Sequence, residues 1–178
     1  MIREFSSKAK PSNNKAKLAL GALFTLAALS LLCAMLVERY GGLVELLTVA
    51  LIVAAVVIYT KYVAAVYYYE VTFDYAGTPV FVVRQLTGKR ETTLARLGIA
   101  EIISVTSESR EERGKHNTPH GTRKYTYVPT LSPEQTLRIT YESPYERAEL
   151  IIEAPAEFGE LLLSYAEEAR RDGFYGEE

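Results

Sequence analysis

The chain predicts an α+β protein in which two membrane-crossing helices precede a domain of short strands closed by one C-terminal helix. Three features carry that expectation. Two apolar runs, residues 18–37 and 43–66, lie close together near the N-terminus. Residues 67–153 show repeated period-two alternation between Gly- and Pro-containing turns. Residues 155–171 then change to the 3.6-residue period of an amphipathic helix. Bulk composition hides the division, because 48% hydrophobic and 24% charged residues average two unlike parts.

The first run, Leu18 to Val37, contains no charged residue. A bilayer core takes roughly 20 helical residues to cross, so the run is long enough. A secretory signal has a shorter apolar stretch of about 7–15 residues and a small-x-small cleavage site. Glu38-Arg39-Tyr40-Gly41-Gly42 offers no such site. The second run is interrupted only by Glu45 and Lys61, near its ends. The short Tyr40-Gly41-Gly42 turn makes the two helices antiparallel neighbours. Gly21 with Thr25, and Ala50 with Ala54, supply small residues at helical spacing for close approach.

Lys and Arg asymmetry sets the orientation. Arg3, Lys8, Lys10, Lys15 and Lys17 precede the first run, whereas the turn carries only Arg39. Positive charge favours the cytoplasmic side, so the N-terminus is expected there, the turn outside, and the C-terminal domain back in the cytoplasm. Lys61 with Tyr59, Tyr62, Tyr67, Tyr68 and Tyr69 suits the second exit, where amphipathic side chains favour the headgroup level. The expected organisation is a basic cytoplasmic tail (1–17), a two-helix hairpin (18–66), a soluble domain (67–172) and a short tail (173–178). The single cysteine, Cys33, falls in the first run, so no intramolecular disulfide is possible.

Seven strands are expected in the domain. Tyr67–Asp74 alternates Tyr67, Tyr69, Val71 and Phe73 with Tyr68, Glu70, Thr72 and Asp74. After Gly77-Thr78-Pro79, the β-branched stretch Val80–Leu86 is the second, and Gly88 turns the chain into Arg90–Leu97. Ile99–Thr106 is the fourth. Charged, Gly- and Pro-containing residues 107–122 form the longest loop. Arg123–Val128, Gln135–Glu142 and Ala148–Glu153 complete the set, with Arg138 and Thr140 read as the outward positions of the sixth. Pro155 opens the terminal helix, Phe158, Leu161, Leu162, Tyr165 and Ala169 share one face, and Gly173 ends it. Such strands fold economically as a sandwich or partly open barrel with the helix capping one open end.

This pattern resembles the pleckstrin-homology-like fold, and more narrowly the bacterial membrane proteins that tether a PH-like domain to a two-helix hairpin. The hairpin itself, Tyr67-Tyr68-Tyr69-Glu70-Val71, Gly88-Lys89-Arg90-Glu91, Leu94-Ala95-Arg96-Leu97, Ile102-Ile103-Ser104-Val105 and the Pro155-x-x-Phe158-x-x-Leu161-Leu162 stretch carry the resemblance. It implies membrane-associated binding, scaffolding or regulation rather than catalysis. One departure matters: phosphoinositide-binding members carry basic residues between their first two strands, whereas Asp74-Tyr75-Ala76-Gly77-Thr78-Pro79 has none. A phosphate cradle needs donors and positive charge at close range, so inositol-lipid recognition is not expected there.

No phosphate-binding Gly-rich loop, dinucleotide fingerprint or nucleophile elbow is present. The net charge of −2 gives no general attraction for nucleic acid. His116 and His120 are four apart, but Pro119 between them and Gly114 and Gly121 beside them oppose the helix that would join them on one metal. Neither catalytic residues, nor a cofactor, nor a metal site is expected. Glu108, Glu111 and Glu112, interleaved with Arg110 and Arg113, read as a solvated charge run. Arg84, Lys89, Arg90 and Arg96 form a small basic group suited to pairing with acids or to contact with anionic headgroups. The candidate contact residues are Lys89, Arg90, Arg110, Arg113 and Lys115. Apart from the lipid bilayer itself, the partners expected are anionic headgroups or a cytoplasmic or membrane protein. The reading is a membrane-anchored interaction, scaffold or regulatory module. The alternative is a small integral-membrane enzyme or an accessory subunit of a transport or envelope complex, which would place ionisable residues within the spans.

Overall fold

The computed structural model describes residues 4–9, 14–36, 41–112 and 121–173. The chain divides into two compact units, residues 11–65 and residues 1–10 together with 66–178.

The helical unit contains α1 (Asn14–Leu36) and α2 (Gly41–Ile58), the second running on into a π-helical turn at Tyr59–Val63. Both are long and apolar enough to cross a membrane. The inward positions of α1 are Ala16, Leu20, Leu23, Ala27, Ser30 and Ala34; those of α2 are Val44, Thr48, Leu51, Ala55 and Ile58. Each series steps by four and three residues in alternation, the 3.5-residue repeat of knobs-into-holes packing. Ala16 and Ala55 are fully buried in this seam. Gly21, Thr25, Ala50 and Ala54, the small residues expected at the contact, are instead exposed, and a Cβ at Gly21 would meet nothing within 4 Å. The seam follows the heptad, and those four lie off it.

One polar pair sits in the seam. Thr48 Oγ1 donates to Ser30 Oγ at 2.9 Å, and Ser30 Oγ donates to the Val44 carbonyl at 3.3 Å. Such interhelical bonds contribute about 0.6 kcal/mol each where measured in membrane helices. Large apolar side chains outside the seam are uncovered, including Leu18, Phe24, Leu32, Leu43, Leu46, Val53 and Val57. Only 22% and 11% of the two apolar segments is buried, the reverse of a helix in a soluble core.

The second unit holds two four-stranded sheets and a helix. Strands β1 (Phe5–Ala9), β2 (Ala65–Phe73), β3 (Pro79–Thr87) and β4 (Arg90–Gly98) form the first sheet in chain order. Strands β5 (Ile102–Ser109), β6 (Arg123–Tyr127), β7 (Gln135–Glu142) and β8 (Arg147–Ile152) form the second, in the order β5-β7-β8-β6. Seven of these are the expected strands. The fourth starts later than expected, because Ile99–Glu101 forms a 3-10 turn at the corner between the sheets. The eighth, β1, comes from the segment read from sequence as a tail: Phe5 pairs with Val71 and Ala9 with Tyr67, antiparallel. The α1–α2 hairpin is thus inserted between two strands that pair with each other. β6 and β8 pair in parallel.

Inward side chains of both sheets make one core. Tyr69, Phe81, Val83, Ile99, Ile102, Leu137, Ile139, Leu150 and Ile152 are essentially sealed from solvent. Tyr69 ties the sheets together: its hydroxyl donates to the Tyr127 carbonyl at 2.7 Å and accepts from the Glu153 amide at 3.3 Å. Burial holds its phenol well above the ordinary pKa. The helix α3 (Ala156–Arg171) covers the core with Phe158, Gly159, Leu162, Ala166 and Ala169. Tyr165, expected on that face, lies at its margin, half-buried. Gly159 is required by packing: a Cβ there would meet Leu137 at 3.0 Å and Val105 at 3.1 Å. Phe158 stacks obliquely between Phe5 of β1 (ring centroids 5.5 Å) and Phe81 of β3 (6.1 Å).

Candidate interaction surface

The hairpin between β2 and β3 closes where the Asp74 amide donates to the Thr78 carbonyl at 2.9 Å, with Gly77 at φ 78°. The opposite ends of those strands, Ala65 and Thr87, therefore share the far end of the sheet. Ala9 of β1 is at that end too, opposite Tyr67. The β3–β4 turn is made there by Gly88 at φ 63° and closed by the Thr87–Arg90 pair. Lys89 and Arg90 are thus exposed at the end of the sheet where the chain leaves for, and returns from, residues 10–64. Lys8 is at the same end, its Nζ 5.4 Å from the Tyr68 ring centre.

The rest of the basic group is neutralised. Arg84 bridges Glu70 at 3.2 Å and Glu91 at 2.8 Å, and Arg96 bonds Asp74 at 3.1 Å. Arg110 is exposed just after β5 in the other sheet, its backbone amide donating to the Glu134 carbonyl at 3.0 Å. No hydrogen bond or ion pair among the described residues joins Arg110 to Lys89 or Arg90. Arg113, Lys115, His116 and His120 lie outside the described residues. Among those described, no three His, Cys, Asp or Glu side chains are grouped to hold a metal ion.

Two features escaped the sequence reading. The first is a buried ion triad. Arg138, expected to point to solvent, is buried at the centre of β7. Its guanidinium grips Glu108 of β5 through Nε at 2.6 Å and Nη2 at 3.1 Å, and Glu149 of β8 through Nη1 at 2.7 Å. Glu108 therefore leaves the solvated charge run to which it was assigned. Burial pulls the Arg138 pKa down, but the bonds and charges of Glu108 and Glu149 outweigh it and hold the group above its ordinary value. The three residues share the face of the second sheet opposite Leu137, Ile139 and Leu150. The signal was a strand-centred Arg flanked, on neighbouring strands, by Glu at matching parity.

The second is a cleft of about 260 Å³ between β4 and the second sheet, lined by Leu94, Tyr125, Tyr127, Tyr141, Glu146 and Leu150 among others. Glu146 is fixed by a tight turn: the Ser143 amide donates to its carbonyl at 2.9 Å, and its own amide donates to the Ser143 hydroxyl at 3.2 Å. Its carboxylate accepts from Tyr141 at 2.9 Å and from Tyr125 at 3.3 Å. Burial first, and then Glu146, push the Tyr141 phenol well above its ordinary value. Tyr127 donates to the Leu94 carbonyl at 3.3 Å, reaching the residue that a bulge opposite Val83 and Arg84 leaves unpaired. The Tyr-x-Tyr alternation of β6 was the sequence signal.

Comparison with known proteins finds no matching family model, no matching curated protein and no matching solved structure.

Proposed function

We propose that the protein is a membrane-anchored interaction module: α1 and α2 cross a cell membrane as a hairpin, and the sheet unit faces the cytoplasm. The observation that carries this reading is the β1–β2 pairing around the hairpin, together with the hairpin's uncovered apolar surface. Strands paired in one sheet lie on one side of a bilayer. The two helices therefore cross together or not at all, and their exposed Leu, Val and Phe favour crossing. Lysines before α1 support the cytoplasmic side. Within the α1–α2 stretch the described charged side chains are Lys15 and Lys17 at one end, Glu45 early in α2, and Lys61 at the other end. An interior free of charge favours an anchor over a conduction path or a membrane-embedded catalyst. The PH-like reading rests on the two sheets and the capping helix α3, with β1 and the parallel β6–β8 pair as additions to the seven-strand expectation.

The module's lipid-facing contact is the turn at Lys89 and Arg90. The turn follows Thr87, at the end of the first sheet where β2 begins. Each basic residue near an anionic surface contributes about 1 kcal/mol, and salt screens it over about 8 Å. A soluble form that keeps β1 is made by replacing residues 10–66 with Asn-Gly, which joins the Ala9–Tyr67 pair as a two-residue hairpin. This form is expected to bind phosphatidylglycerol vesicles weakly at low salt and to release at high salt. Lys89→Glu with Arg90→Glu should abolish the binding. Equal binding by the double variant, or none by the parent, would remove lipid from the reading and leave a protein as the partner.

A further inference from the structure

We propose that the cleft between β4 and the second sheet is a binding site for an organic cation, an alkylammonium or guanidinium group on an aliphatic stem. The hydroxyl protons of the cleft tyrosines are all engaged. Those of Tyr125 and Tyr141 are committed to Glu146, and that of Tyr127 to the Leu94 carbonyl. The tyrosines therefore keep no hydroxyl proton for an anion. What Tyr125 and Tyr127, both partly exposed, offer is ring surface, which attracts cations through its negative face. Glu146 adds a full negative charge, held in place from two sides by hydroxyl donors and by the Ser143 turn. Leu94, partly exposed, supplies apolar wall for methylene groups.

Arg123 shows that the carboxylate accepts such a group. Its Nη1 reaches Glu146 Oε2 at 3.3 Å, yet its side chain is 72% exposed, whereas that of Glu146 is 28% exposed. A surface ion pair of that kind contributes little, so an incoming cation can displace it. Arg96, the other guanidinium at the cleft, is bonded to Asp74. The volume, about 260 Å³, suits one side-chain-sized ligand rather than a large cofactor. The same chemistry is supplied by a free amine or by a Lys or Arg side chain of a peptide laid along β4, the outer strand of its sheet.

The test uses the full chain in lipid nanodiscs with its tyrosine rings isotopically labelled for NMR. Titration with n-butylammonium chloride is expected to shift the Tyr125, Tyr127 and Tyr141 ring signals saturably, while the sealed Tyr69 ring stays unmoved. n-Butanol, its neutral counterpart, should leave them unmoved. Glu146→Gln should weaken binding at least about tenfold, and Tyr127→Leu severalfold. Arg123→Ala should strengthen it, a direction that damage to the fold would not produce. An acetyl-Val-Lys-Val-amide peptide binding about tenfold tighter than butylammonium identifies a peptide as the source; equal affinities identify a free amine. Absence of saturable shifts, equal response to butanol, or an undiminished affinity in Glu146→Gln with the Tyr69 signal intact would overturn the proposal.

Discussion

Arg138→Met is expected to destabilise the sheet unit by about 3–5 kcal/mol, because it removes the guanidinium that two buried carboxylates now share. All three side chains are at most 7% exposed, so water cannot replace the lost partner. The cost measures buried charges deprived of their countercharge rather than the worth of the triad. Replacing Glu108 and Glu149 by Leu alongside Arg138→Met should therefore recover most of the loss, since apolar substitutes for buried ionic groups are often neutral or better. Urea unfolding of the Asn-Gly-joined soluble form, followed by circular dichroism, checks both. A single variant as stable as the parent would mean that the triad is solvated.

Phe158→Ala should cost about 3–5 kcal/mol in the same assay, the usual range for removing a buried aromatic ring. The ring is 2% exposed and is touched from β1 by Phe5 and from β3 by Phe81. Leu162, fully buried one turn further along α3, should follow at about 2–5 kcal/mol when cut to Ala. Phe5→Ala is expected to cost less, because Phe5 is 41% exposed. The two Phe variants should nevertheless couple by about 0.5–1.5 kcal/mol in a double-mutant cycle, as contacting rings do. Strict additivity would mean that β1 is not seated on α3.

Much of the architecture was legible from periodicity. Seven strands and the terminal helix follow from alternation and from the 3.6-residue spacing of Phe158, Leu162 and Ala169, because one-sided burial imprints its period on the chain. The two apolar helices were legible from length alone. β1 was not, because Phe5-Ser6-Ser7-Lys8-Ala9 has no strong alternation and its partner lies beyond the whole hairpin. Local pattern cannot report a pairing of that sequence separation. Arg138 was misassigned for a related reason: alternation tells which residues share a face, but not whether something covers it. In the helix pair apolar residues fall on every face, so hydrophobicity does not mark the seam. Ser30 and Thr48, the polar residues within it, were the better guide. Lys89 and Arg90 were legible as a charged turn. Their position at the hairpin end of the first sheet came only from the register.

The central claim is that an apolar hairpin is spliced into a strand pair and anchors the sheet unit on the cytoplasmic side of a membrane. Single cysteines at Ser6, Gly42 and Tyr145, in a Cys33→Ala background, test it most directly. Ser6 is exposed on β1, Tyr145 at the tip of the β7–β8 turn, and Gly42 at the start of α2. In intact cells an impermeant maleimide should label Gly42→Cys alone, and after lysis it should reach Ser6→Cys and Tyr145→Cys together. Labelling of only one of Ser6→Cys and Tyr145→Cys in intact cells would contradict the shared sheet across the hairpin, and labelling of both would contradict the cytoplasmic orientation.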